Sequence, residues 1–280
     1  MNTLRPEQVL ACLQTLPALP AVVSELLASF DNDEVDVAAL TRRIACDQAL
    51  AARLLRVANS SFYGLQTRVS TINEALVVLG FRAVRSMVVA MGIGGVFRAE
   101  QCPGFEVQAH IRHGVGVGLA ARALALETRR NPEIAFTGGI LHDIGKLVLA
   151  SCFAAQYSQA LAYRDRHDCP LVVAERDVLG LDHAEAGGLL ADAWRFPPAL
   201  RAALAEHHSP AAATADSPAD LIHVADAIAH GLGLGQSAGE LVMAVDQTAW
   251  QRLDADHEKI TRVLPQVLAG MDEACMVFSA

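Results

Sequence analysis

The histidines of this chain crowd into residues 110–230, and several stand beside carboxylates. The sharpest arrangement is Gly138-Gly139-Ile140-Leu141-His142-Asp143-Ile144-Gly145-Lys146, an adjacent His-Asp pair at the end of an apolar stretch, followed by a Gly and a Lys. An imidazole nitrogen and a carboxylate on neighbouring positions can share one divalent cation, and the second carboxylate oxygen can bridge to another. Upstream stands His113; downstream stand His183, after Gly180-Leu181-Asp182, the pair His207-His208, and Asp226. If the helices that carry them converge, His113, His142, Asp143 and Asp226 form one metal position, and His183, His207, His208 and a bridging Asp143 form a second. Mixed nitrogen and oxygen donors suit two divalent transition-metal ions, iron, manganese, zinc or nickel, able to activate a water against a phosphoester. Lys146 is one of only two lysines among 22 basic residues. A compact ammonium three positions after the His-Asp pair would hold a substrate phosphate or a metal-bound carboxylate as a point charge.

Each residue also has a plainer account. His142 and the pair His207-His208 would be favoured at helix C-termini by the dipole, and Lys146 could be a solvated helix-end lysine. His183 could neighbour a cap at Asp182, and Asp226 could pair with an arginine. His110, His223 and His230 are expected at the surface or behind the ligands, and His167 and His257 in solvent. Local spacing does not decide between these accounts, because convergence is a property of tertiary structure.

The elements that must position these residues are helices. Apolar residues recur at three-four spacing, as in Val9, Leu10, Leu13 and Leu16, then Val22, Val23, Leu26 and Leu27, then Leu40, Ile44, Leu50, Leu54 and Leu55. Alternating strand patterns are almost absent, and the Ala and Leu content favours helix, so the fold class is all-α. Pro17 and Pro20, Asp31-Asn32-Asp33, Ser70 or Thr71, and Gly80 cut the chain into short helices suited to bundles. Asn59 to Gly64 reads as a turn ending a helix, and Ser209 to Pro218 as a loop. Trp194 and Phe196 read as core or interlobe packing. The Pro-Gly turn in Gln101 to Phe105 divides an N-terminal helical lobe, residues 1–100, from a second helical lobe, residues 101–280. The glycine-rich Met91 to Val96 is expected near their junction.

Composition narrows the function classes. With 280 residues, 52% hydrophobic, 19% charged and a mean hydropathy of +0.30, nearly all of the chain should fold. Net charge is −9, and the excess acidity lies wholly beyond residue 100. No basic run exceeds a pair, so a nucleic-acid partner is not expected. The most apolar stretch, Ala75 to Phe97, carries Arg82 and Arg85 and four glycines, which makes a poor membrane span. The N-terminus has no signal pattern, so the expected compartment is the cytoplasm. Six scattered cysteines without a C-x-x-C pair are then expected as free thiols, not as a disulfide framework or a zinc site.

The motif His142-Asp143-Ile144-Gly145-Lys146, with His113 before it and Asp226 after it, resembles the HD superfamily of metal-dependent phosphohydrolases. More closely, the chain is similar to the HDOD family, the HD-related output domains of bacterial signalling proteins. The matching stretches are Leu16-Pro17-Ala18-Leu19-Pro20, Asp47 to Leu50, Leu55 to Gly64, Ser70 to Ala75, Leu79-Gly80, His183 to Trp194, Phe196-Pro197 and His207-His208. The resemblance spans roughly residues 16–235 and implies an HD-like helical bundle with an N-terminal helical lobe. It also implies a signalling role in which many members have lost HD ligands, whereas here the ligand residues are present. The positions also resemble the HD-GYP phosphodiesterases of cyclic di-GMP. Here, however, Ser209-Pro210 and alanine-rich sequence follow His207-His208 where that group has Gly-Tyr-Pro, and Ala109 stands where a Glu is often found.

Two functions follow from these residues. In the first, the chain is a signal-transduction output protein that binds a partner, a signalling protein on a separate chain or a phosphorylated small molecule, with a metal-occupied HD lobe. In the second, it is a metal-dependent phosphohydrolase or phosphodiesterase acting on a nucleotide or cyclic dinucleotide. There the histidines and Asp226 ligate, Asp143 bridges, and Lys146 steadies the phosphate.

Overall fold

Where Asp, Thr or Asn precedes an apolar run, a helix starts. The computed structural model describes residues 3–31, 36–59, 68–210, 217–235, 241 and 244–278; among these it shows α-helices, one 3-10 turn and no strand. Pro6 opens α1 (Pro6–Leu13), and Pro20 precedes α2 (Ala21–Ala28). Asp36 caps α3 (Val37–Cys46), Asp47 caps α4 (Gln48–Ala58) and Thr71 caps α5 (Ile72–Leu79), each accepting from the third backbone amide on. Such caps satisfy donors that the first helical turn leaves without partners. Gly80 ends α5, and α6 (Phe81–Gly94) follows. The amide of Asn59 donates to Leu55 O and Val69 O and accepts from Val69 N, tying the end of α4 to the approach to α5. Of the expected turns, Asn32-Asp33, Ser60 to Gly64 and positions 211–216 lie outside the described residues.

Arg85, inside the apolar stretch of α6, is buried. Its Nη1 donates to Ser29 O at 2.6 Å and its guanidinium lies 3.8 Å from the centre of the Phe30 ring. A hydrogen-bonded, stacked arginine thus fixes α6 to the end of α2.

Beyond residue 105 the helices are built around α7 (Val107–Glu127), which packs on α8 (Pro132–Leu141). There follow α9 (Ile144–Cys152), α10 (Ala154–His167), α11 (Leu171–Leu179), α12 (His183–Ala193) and α13 (Pro198–Glu206). The chain closes with α14 (Pro218–Gly231) and α16 (His257–Phe278), both packed on α7, and between them α15 (Gln247–Arg252). Helices α7 and α8 approach so closely that a Cβ on Gly139 would lie 2.7 Å from Gly118 Cα. The segment Pro132–Cys152 is long and apolar enough to cross a membrane by length and composition, but 83% of its most apolar window is buried inside the protein.

One continuous apolar core runs through the helices on both sides of residues 101–105. Phe97 and Trp194, one from each side, meet with ring centres 6.0 Å apart. The first helix, α1, packs on α9 and α12, and Leu4 N donates to Leu179 O at 2.6 Å. That docking overturns one expectation about the cysteines. Cys12 of α1 and Cys152 of α9 form a disulfide across a sequence separation of 140, while Cys46, Cys102, Cys169 and Cys275 are free. The pairing has no local signature, because tertiary packing alone brings the two residues together.

Candidate metal centre

Four helix ends and two helix faces meet at one carboxylate. His142 closes α8 and Asp143 opens α9, so the pair occupies the turn between them. His183 is the first residue of α12, behind an Asp182–Glu185 capping box, and His207 closes α13 with His208 following. His113 comes from the face of α7, and Asp226 and His230 from successive turns of α14. The glycine of the His142 to Lys146 motif has a steric role: a Cβ on Gly145 would fall 1.8 Å from His183 O. Only glycine lets α9 cross the start of α12 closely enough to set His183 against Asp143.

The two oxygens of Asp143 face different partners. Oδ1 lies 3.1 Å from His183 Nε2 and 3.7 Å from His207 Nε2. Oδ2 lies 3.3 Å from His142 Nε2, 3.8 Å from His113 Nε2 and 2.7 Å from Lys146 Nζ. Asp226 Oδ1 sits 3.0 Å from His113 Nε2, 3.8 Å from His142 Nε2 and 2.9 Å from His230 Nδ1. His208 Nε2 is 2.8 Å from His183 Nε2. Thus the seven residues singled out as metal ligands lie together, and Lys146, buried and paired with Asp143, is not a solvated helix-end residue.

Hydrogen bonding fixes which nitrogen each ring presents. Nδ1 of His113, His142 and His207 lies 3.2, 2.7 and 2.9 Å from the carbonyls of Leu234, Gly139 and Leu204. A carbonyl only accepts, so each Nδ1 carries a proton, and Nε2 is the nitrogen turned to the centre, where loss of any second proton leaves a bare lone pair. Those three Nε2 atoms and Asp226 Oδ1 are buried with no hydrogen-bond partner among the described residues. Acceptors buried face to face are costly unless a cation lies among them. The donor set therefore fits divalent metal in overlapping groups: His113, His142 and Asp143; His113, Asp226 and His230; and Asp143, His183, His207 and His208.

Electrostatics follows from the crowding. Burial alone would raise the carboxyls of Asp143 and Asp226, yet both are held well below the usual range. His142, Lys146 and His183 act on Asp143, and His113 and His230 on Asp226. Burial would lower His183, but Glu175 and Asp143 outweigh it and push it up to about 10. Burial, reinforced by His142 and His183, brings His207 down to about 3, and His208 is lowered for the same kind of reason.

Some neighbours were not read as part of the site. Glu175 of α11 is fully buried behind His183. Nothing in its sequence distinguishes it from a solvent-facing helix residue. His230 joins Asp226 and His113, and its position four residues after Asp226 was an available signal. His223 stands behind the site, with Nδ1 2.8 Å from His207 O. His167 and His257 are exposed, as expected. Two cavities of about 20 and 30 Å³ adjoin Asp143 and Lys146.

Comparisons with known proteins agree with this architecture. A family profile described as HDOD domain matches residues 16–210. A crystal structure of an HDOD domain protein of unknown function from Geobacter sulfurreducens superposes with a TM-score of 0.75 at 22% identity, covering 98% of this chain and 94% of that one. A protein from Shewanella amazonensis SB2B, provisionally named a phosphohydrolase, superposes at 0.69 with 28% identity over 93% of this chain and 98% of its own. An uncharacterized protein of Treponema pallidum (strain Nichols) is 26% identical over 199 residues, 70% of this chain but only 38% of its own length.

Proposed function

Because the chain belongs to the HDOD family, we propose that it is a regulatory output protein of bacterial signal transduction whose HD lobe holds two divalent transition-metal ions and which acts by binding a partner. The observation that carries the metal is the set of buried Nε2 atoms and the Asp226 oxygen that have no hydrogen-bond partner among the described residues around Asp143. His113, His142 and Asp226 would hold one ion, His183, His207 and His208 the other, and Asp143 would give one oxygen to each. The enclosure of the centre favours binding over turnover. His113, His142, Asp143, His183 and His207 are each at most 3% exposed, and the adjoining cavities have room for a water but not for a phosphoester. The partners are signalling proteins on separate chains or a phosphorylated small molecule, met across lobes divided near residues 101–105. We place this role in the cytoplasm, where the Cys12–Cys152 pair would stand reduced.

A second reading, phosphoester hydrolysis, is supported by Lys146. Its ammonium is buried against Asp143, where it would neutralise charge on a phosphate. Bound divalent ions supply Lewis-acid polarisation of a phosphoryl oxygen. The chain's part would be to hold that phosphate with Lys146 and to keep Asp143 ionised between the two histidine sets.

Elemental analysis of protein purified without chelators or metal-affinity columns, alongside Asp143→Ala, tests both readings. About two transition-metal equivalents, lost in the variant, with no hydrolysis of bis(p-nitrophenyl) phosphate, support the regulatory role. Hydrolysis that disappears in Asp143→Ala and Lys146→Met supports the enzyme. A well-folded protein without metal overturns both.

A further inference from the structure

One cavity lies apart from the metal centre. It measures about 280 Å³ and lies between the N-terminal lobe and the helices α7, α8 and α9. That volume is near the small end of the range for ligand sites, about 300–1,000 Å³. Met91, Ile111 and Ile140 make apolar wall, and the mouth carries Arg53 of α4, Arg98 and Glu100. Arg53 is half-buried, and its Nε is enclosed with no hydrogen-bond partner among the described residues. A guanidinium N–H left without an acceptor beside an apolar hollow is a cost to folding unless an anion is received there.

We propose that this interlobe cavity is a second ligand site, for a small amphipathic anion whose apolar body fills the hollow while its phosphate, sulfonate or carboxylate meets Arg53 and Arg98. Glu100 on the same rim serves as an acceptor for an N–H edge of the ligand. The site is placed to report to the metal centre. Leu141 and Ile144, which flank the His142-Asp143 pair, line the cavity, and His110 borders both it and the small cavity at His113 and Asp143. A ligand there therefore presses on the turn that carries the His-Asp pair, and occupancy of one site biases the other reciprocally. The proposal does not depend on whether the metal centre hydrolyses anything.

The test uses 8-anilino-1-naphthalenesulfonate, an apolar aromatic body with one sulfonate, titrated into the full chain by fluorescence and calorimetry. One saturable site is expected, weakened at least tenfold in Arg53→Gln. It is expected to be lost in Gly94→Phe, whose Cβ has nothing within 4 Å and whose ring can enter the cavity. N-phenyl-1-naphthylamine, the same body without the sulfonate, should bind at least tenfold more weakly. Absence of a saturable site, or wild-type affinity in Arg53→Gln, overturns the proposal. Equal affinity for the uncharged probe overturns the anion assignment. Far-ultraviolet circular dichroism and the thermal midpoint of each variant establish that it is folded, and Arg53→Gln, at a half-exposed position, keeps the test valid if Gly94→Phe fails to fold.

Discussion

One oxygen of the buried Glu175 carboxylate takes two donors from His183: the ring Nδ1 at 2.5 Å and the backbone N at 2.9 Å. The imidazole cannot rotate without breaking the first bond, and the start of α12 cannot shift without breaking the second. Its Nε2 is thereby aimed at Asp143.

Glu175→Gln keeps the shape but weakens the acceptor, and should lower metal affinity about 10–100-fold. Competition against a chromophoric chelator measures this. Wild-type affinity would mean that Glu175 only fills space.

Metal uptake should release protons. In the metal-free protein His183, raised to about 10, is charged at neutral pH, and ligation through Nε2 must displace that proton. Affinity is then expected to rise with pH, by up to about tenfold per unit, from neutrality toward pH 10. Calorimetry in two buffers of different ionisation enthalpy counts the protons, and Glu175→Gln should reduce the count.

Acid should unfold the metal-free protein early, because of His207. Its folded value of about 3 lies below the ordinary 6.5, so between those limits the unfolded chain binds the extra proton. Stability is retained above about 6.5 and falls as pH drops toward 3, at up to about 1.4 kcal/mol per pH unit from this group. Denaturant titrations across pH 7 to 4 should show His207→Gln with a shallower fall than wild type.

Gly145→Ala should cost about 3 kcal/mol or more, since the added methyl meets His183 O and the neighbouring Gly187 N, both backbone atoms that cannot yield alone. Chemical denaturation measures it. A loss under about 1 kcal/mol would show that α9 and α12 separate easily.

The cap at Thr71 was legible because capping is local chemistry, and the all-helical class followed from apolar spacing. The residue types that meet at the candidate centre were legible too, since few other roles gather so many histidines beside carboxylates. What escaped was decided by docking. Glu175 is buried only because α11 lies behind α12, and Cys12 meets Cys152 only because α1 crosses to the other lobe. His230 was within reach of a helical-spacing argument, as it stands one turn beyond Asp226.

The Cys12–Cys152 bond makes the chain, when oxidised, a ring with a short N-terminal tail and a long C-terminal one. Residues 12–152 close the ring, which contains His113, His142, Asp143 and Lys146, and the long tail brings His183, His207, His208 and Asp226. Metal ions shared across Asp143 would clasp the long tail to the ring, adding coordinate bonds between two parts of the polypeptide that are covalently joined only by the peptide bond after residue 152.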